Sequence, residues 1–133
     1  MFLFHLTSAE RQAFVSLAKH LLIVDGEEGA AEARALQGME AELGIAMANI
    51  PATAPTAKLL GTFVSHASKV AVVLELLTLA YTDGLPHPEE MELLRRVAVG
   101  LGIPELRLLE MEDWVVKQLP LAAQANAFLM EEE

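Results

Sequence analysis

Four acidic residues at matched positions are the strongest chemical signal in this sequence: Asp25 and Glu32, then Asp83 and Glu90. In each pair the Glu lies seven positions after the Asp, and a glycine (Gly26, Gly84) directly follows the Asp. Hard divalent cations need several carboxylate or carbonyl oxygens converging on one point. Two such bends held together therefore form a candidate site for Ca²⁺ or Mg²⁺, with Glu27, Glu28 and Glu89 as further donors. An EF-hand is excluded, because its loop places oxygen donors at three positions ahead of its glycine. A purely structural role suits the same residues. Asp before Gly is ordinary at a sharp helix end, and Glu32 and Glu90 stand where a carboxylate answers the free amides and positive dipole of the next helix.

The matching extends beyond the acids. Shifting the sequence by 58 residues superposes Asp25-Gly26 on Asp83-Gly84, Glu32 on Glu90, Leu36 on Leu94, and Leu43-Gly44-Ile45 on Leu101-Gly102-Ile103. Such self-similarity implies a duplicated helix-loop-helix unit. Among the histidines, His87 lies between Asp83 and Glu90 and is the one candidate for a zinc or manganese ligand, but its counterpart at position 29 is glycine. A helix N-cap is the plainer role for it. His20 and His66 fall on or beside expected helices as partly buried, hydrogen-bonded rings, and His5 interrupts the apolar start of the chain.

The elements that must position these residues are set by hydrophobic period. Apolar residues recur at helical spacing throughout, and no stretch alternates long enough for a strand, so the expected fold is all-α. It is a single domain, residues 1–133, of six or seven helices, with two pseudo-symmetric helix-loop-helix repeats around a buried central helix. Repeat one spans about 8–45, a connection about 46–56, repeat two about 67–104, and C-terminal helices 104–130. The box Thr7-Ser8-Ala9-Glu10 starts the first helix, whose apolar face is Phe14, Leu17, Ala18, Leu21 and Leu22. A second helix over 30–43 stops at Gly44, a left-handed cap. Pro51 and Pro55 mark the connection. A short helix over 57–66 precedes one over 69–82, which is apolar nearly all round except for Glu75 and should form the core. Pro88 starts the next, burying Met91, Leu94, Val97, Ala98 and Leu101, and Gly102 ends it. Pro104 starts another, with Leu106, Leu109 and Trp114 as anchors, and Pro120 opens a last helix to about Met130.

The doubled pattern His20-Leu-Leu-Ile-Val-Asp25-Gly26 with Glu32, then Leu79-Ala-Tyr-Thr-Asp83-Gly84 with Pro88-Glu-Glu90 and Leu101-Gly102-Ile103, resembles the TerB-like family associated with tellurite resistance. A related domain opens some membrane-anchored DnaJ-type co-chaperones. The resemblance covers roughly Ser8 to Trp114 and matches better in the second repeat. It implies an all-helical domain of about seven helices tied to metal-stress and general stress responses, without established catalysis, whose acidic residues are suspected of binding divalent cations. The first loop, Glu27-Glu28-Gly29-Ala30-Ala31, departs from the pattern by lacking a hydroxyl or proline helix starter.

Composition narrows the remaining choices. Nine basic against nineteen acidic residues give a net charge of −10, which repels phosphate backbones, so nucleic acid is not an expected partner. The absence of cysteine removes thiol catalysis and disulfides and fits a reducing compartment. Residues 1–6 lack the basic lead-in of a secretory signal, and the apolar run 70–81 is too short for the roughly 20 residues that span a bilayer. A cytoplasmic domain without membrane insertion is the expectation. No Gly-x-Ser-x-Gly turn or phosphate-binding glycine loop is present, so the favoured function is non-enzymatic: a stress-response module that binds a protein partner and, weakly, a divalent cation. A structural homo-oligomer is the alternative, with a metal-dependent hydrolase a remote third. Self-association is suggested by the mean hydropathy of +0.37 and by Leu121, Ala125, Phe128 and Leu129 in the last helix. The methionines are dispersed core filler, Met91 and Met111 being candidates to line a groove.

Overall fold

The computed structural model describes residues 2–23, 34, 37–38, 40–41, 44, 56–81 and 85–130. Among them are a 3-10 turn, Leu3–His5, and five helices: α1 (Ser8–Ile23), α2 (Thr56–Leu60), α3 (His66–Ala80), α4 (Pro88–Gly100) and α5 (Glu105–Met130). No strand occurs among the described residues, and the all-α class holds. Of the second expected helix, Arg34, Gln37, Gly38, Glu40 and Ala41 are described, and all five are helical. Gly44 then takes φ +69°, and its N–H donates to the Glu40 carbonyl at 2.9 Å, the left-handed stop expected there.

α3 is the core. It packs against α1, α4, α5 and the 3-10 turn, burying Val72, Val73, Leu76, Leu77 and Leu79. Each such side chain contributes roughly 1.5 to 3 kcal/mol of transfer free energy, most of it offset by the entropy of ordering the chain. Glu75 is buried on this helix and accepts the Phe2 N–H at 2.6 Å. That bond fixes the start of the chain across α3, with Leu3 and Leu6 buried beside it.

The two long N-terminal elements meet at one carboxylate. Glu10 is 3% exposed, and its Oε1 accepts the Thr7 N–H at 2.8 Å and the Ser68 hydroxyl at 3.0 Å. Its Oε2 accepts the Val64 N–H at 3.1 Å, and the Glu10 N–H donates back to Thr7 Oγ1 at 3.2 Å. The capping box is present as expected, and it also ties α1 to the start of α3. Ser65 Oγ accepts the Ser68 N–H at 3.0 Å, which starts α3 at His66 rather than near Lys69. Thr7 and Ser65 thus cap helices whose first residues, Ser8 and His66, share the 58-residue offset of the sequence match, as do Gly44 and Gly102. The signal for the earlier start of α3 is Ser65-His-x-Ser68, in register with Thr7-Ser-x-Glu10.

Other expectations need correction. The short helix over 57–66 ends at Leu60, because Gly61 follows and the Val64 N–H is taken by Glu10. Helix α5 runs unbroken through Pro120 instead of restarting there. Pro120 lacks the N–H that would bond the Val116 carbonyl, and both residues are exposed, where an unpaired carbonyl costs least. Leu106 and Leu109 are exposed and are not anchors, whereas Trp114 packs its ring against that of Phe2, with centroids 5.8 Å apart. Leu106 is 76% exposed, and the inward face of α5 is Leu108, Met111 and Val115, set by the turn that precedes the helix. That turn is a Schellman motif: Gly102, at φ +74°, donates to the Val99 carbonyl at 3.0 Å, and Ile103 donates to the Ala98 carbonyl at 2.9 Å. His66 is exposed rather than partly buried. Leu93 is a further buried residue of α4, where Met91 is only partly covered.

Burial pushes the Glu10 carboxyl up, but the Thr7 and Val64 amides and the Ser68 and Thr7 hydroxyls outweigh it and hold its pKa below the ordinary 4.5. Stability from this group is therefore present above that value and lost as pH falls below it. Glu10→Ala is expected to lose about 3 kcal/mol in urea denaturation at pH 7, because several buried donors lose a charged acceptor. The deficit relative to the parent chain should shrink at pH 3. Gly102→Ala should cost about 1 kcal/mol by the same assay, from forcing a side chain into left-handed backbone.

The second acidic bend and its cleft

The second bend is framed by described residues on both sides. Tyr81 closes α3, its N–H donating to the Leu77 carbonyl at 3.1 Å. After the bend His87 is extended, with φ −66° and ψ 153°, and Pro88 occupies the first helical position of α4. This geometry leaves the first amides of α4 in need of acceptors. Glu90 answers: it is 2% exposed, and its Oε1 accepts the His87 N–H at 3.1 Å. The Glu90 and Met91 amides in turn reach the His87 carbonyl at 3.0 and 3.1 Å. Glu90 therefore performs the helix-start role that its position predicts, with one carboxylate oxygen committed to it, while Glu89 is exposed.

Of the four carboxylates singled out in the sequence, Glu90 alone falls among the described residues. Asp25, Glu32 and Asp83, together with Glu27 and Glu28, lie outside them. No group of three or more His, Asp or Glu among the described residues is arranged to hold a metal ion. His87 serves as the N-cap residue of α4, the plainer of its two expected roles.

Beside the bend lies a cleft of about 350 Å³ where the end of α3 and the starts of α4 and α5 meet. Met91 and Leu108 supply its apolar wall, and Tyr81, Glu105 and Glu112 its polar one. The Tyr81 hydroxyl donates to Glu112 Oε1 at 2.9 Å, joining α3 to α5. Burial, then the hydrogen bond and charge of Glu112, push the Tyr81 phenol up to about 12. A phenol held protonated that far is a hydrogen-bond donor at neutral pH, not a base or nucleophile. Sequence reasoning misses this pair. The available signal is the chain's single tyrosine at the end of an apolar helix, an amphipathic ring whose polar tip needs a partner when buried.

The family model for tellurite resistance protein TerB matches residues 4–112, from the 3-10 turn to Glu112. The chain belongs to this family. Comparisons with curated proteins and with solved structures find no match. TerB is not a known enzyme family. The TerB match takes in both Asp-Gly bends, the Glu10 junction and the Tyr81–Glu112 pair, and it stops before the exposed second half of α5.

Because the chain has one tyrosine, its phenolate absorbance reports Tyr81 alone. A spectrophotometric titration is expected to give a midpoint near 12, and Glu112→Gln should bring it back toward the ordinary 10.0. Folding stability from this pair should be present below 10 and decline as pH rises toward 12.

Proposed function

We propose that this TerB-family chain is a non-enzymatic, cytoplasmic stress-response module that engages a protein partner and binds a divalent cation weakly through its two Asp-Gly loops. The donors are Asp25, Glu32, Asp83 and Glu90, and Ca²⁺ or Mg²⁺ is the ion. The observation that carries this reading is the family match, which spans both bends. Two further features support it. The helices leading into the bends, α1 and α3, start side by side at Glu10, so both bends follow the far ends of one packed pair. Glu90 is buried at the start of α4, directly after the second bend, and its carboxylate is the donor this reading assigns to the ion. A cation neutralising clustered carboxylates would stiffen both loops and alter the surface beside them, the kind of change a partner reads.

Calorimetric titration with Ca²⁺ and with Mg²⁺ tests this. One ion per chain at submillimolar to millimolar affinity is expected, lost in Asp25→Asn and in Asp83→Asn alike. Two independent ions per chain would show that the bends act separately, and no heat at millimolar cation would leave the acids as helix caps.

A second reading, a self-associating helical protein, is favoured by one specific feature. Leu121, Phe128, Leu129 and Met130 are exposed along the end of α5, in a stretch (118–130) without a single charged residue. Apolar surface of that continuity on a small domain calls for a partner. Sedimentation velocity is expected to show an average mass that rises with protein concentration.

A further inference from the structure

A cleft of about 880 Å³ opens between the start of α3 and the turn joining α4 to α5. Its floor is apolar: Leu101 and Met111 are buried and Val70 partly so. Its rim carries His66, Lys69 and Arg107, and no carboxylate lines it among the described residues. In a chain of net charge −10 that is an unusual local balance. Lys69 is half-buried and pairs with no carboxylate among the described residues. Arg107 reaches Glu110 at 3.2 Å on the exposed face, a solvated pair that holds it only weakly. An occupant must bring negative charge to the rim and apolar bulk to the floor.

The chain itself carries such a segment. Residues 128–133 read Phe-Leu-Met-Glu-Glu-Glu, and Phe128, Leu129 and Met130 are 71%, 81% and 81% exposed. Phe128, Leu129 and Met130 do not fill their own cleft, because Arg107 and Met130 lie on one unbroken helix, about 35 Å apart at the ordinary rise per residue. We propose that the 128–133 segment of one copy docks in the His66–Lys69–Arg107 cleft of another, its apolar residues on Leu101 and Met111 and its glutamates on the basic rim. This rests on the self-associating reading and assigns its surface. The remainder of α5 then serves as a spacer rather than as the interface, and the contact weakens as salt rises.

Charge reversal tests it. One variant carries Lys69→Glu and Arg107→Glu; a second carries Glu131→Lys, Glu132→Lys and Glu133→Lys. Circular dichroism with thermal melting confirms that each variant is folded. In sedimentation velocity at low salt, each variant alone should associate at least about tenfold more weakly than the parent chain. An equimolar mixture should recover association, because reversed clefts then meet reversed tails of opposite charge. Variants that associate as well as the parent, or a mixture that stays monomeric while the parent associates, overturn the assignment but leave self-association standing. A parent chain that is monomeric at every concentration and salt overturns both.

Discussion

The arrangement of this molecule depends on one buried carboxylate. Glu10 takes hydrogen bonds from the first helix cap, from the loop that ends α2 and from the first turn of α3. A charge removed from water is costly unless its oxygens are filled, and here backbone amides and hydroxyls fill them. The consequence is geometric. α1 and α3 are compelled to begin at the same place. Glu75 does a similar service farther along α3 by fixing Phe2.

Much of this is legible in the sequence. The capping box, the apolar α3 and the glycine stops are local patterns: a helix start needs an acceptor three residues on, a core helix needs apolar residues on every face, and a left-handed stop needs glycine. Gly44 and Gly102 adopt the same positive φ for that reason. Information held between elements is what escapes a linear reading. Nothing near Glu10 in the sequence announces Val64 or Ser68, and nothing near Tyr81 announces Glu112. The helical face of α5 is misjudged at Leu106 and Leu109, which are as apolar as the buried Leu108, Met111 and Val115; the preceding Schellman turn sets how the helix enters the core. Pro120 reads as a restart, although an exposed proline bends a helix without ending it. For the candidate site, the helix-start role of Glu90 is legible from Pro88-Glu-Glu90, whereas the burial of its carboxylate is not.

Charge is laid out unevenly over this frame. Against a net charge of −10, His66, Lys69 and Arg107 gather at one cleft on the α3 side. Met91 and Met111, the two methionines expected to line a groove, each line one of the clefts. The fold thus presents surfaces of opposite character, and the exposed, uncharged end of α5 projects beyond the family-matched region.

The claim that Glu10 holds the two halves as one unit is tested most directly by native-state hydrogen exchange at the Thr7 and Val64 amides. Both should exchange only through global unfolding, with equal opening free energies, and lose protection together in Glu10→Ala. If the Val64 amide opens through a local fluctuation far below the global value while Thr7 stays protected, the two halves are not coupled through this carboxylate.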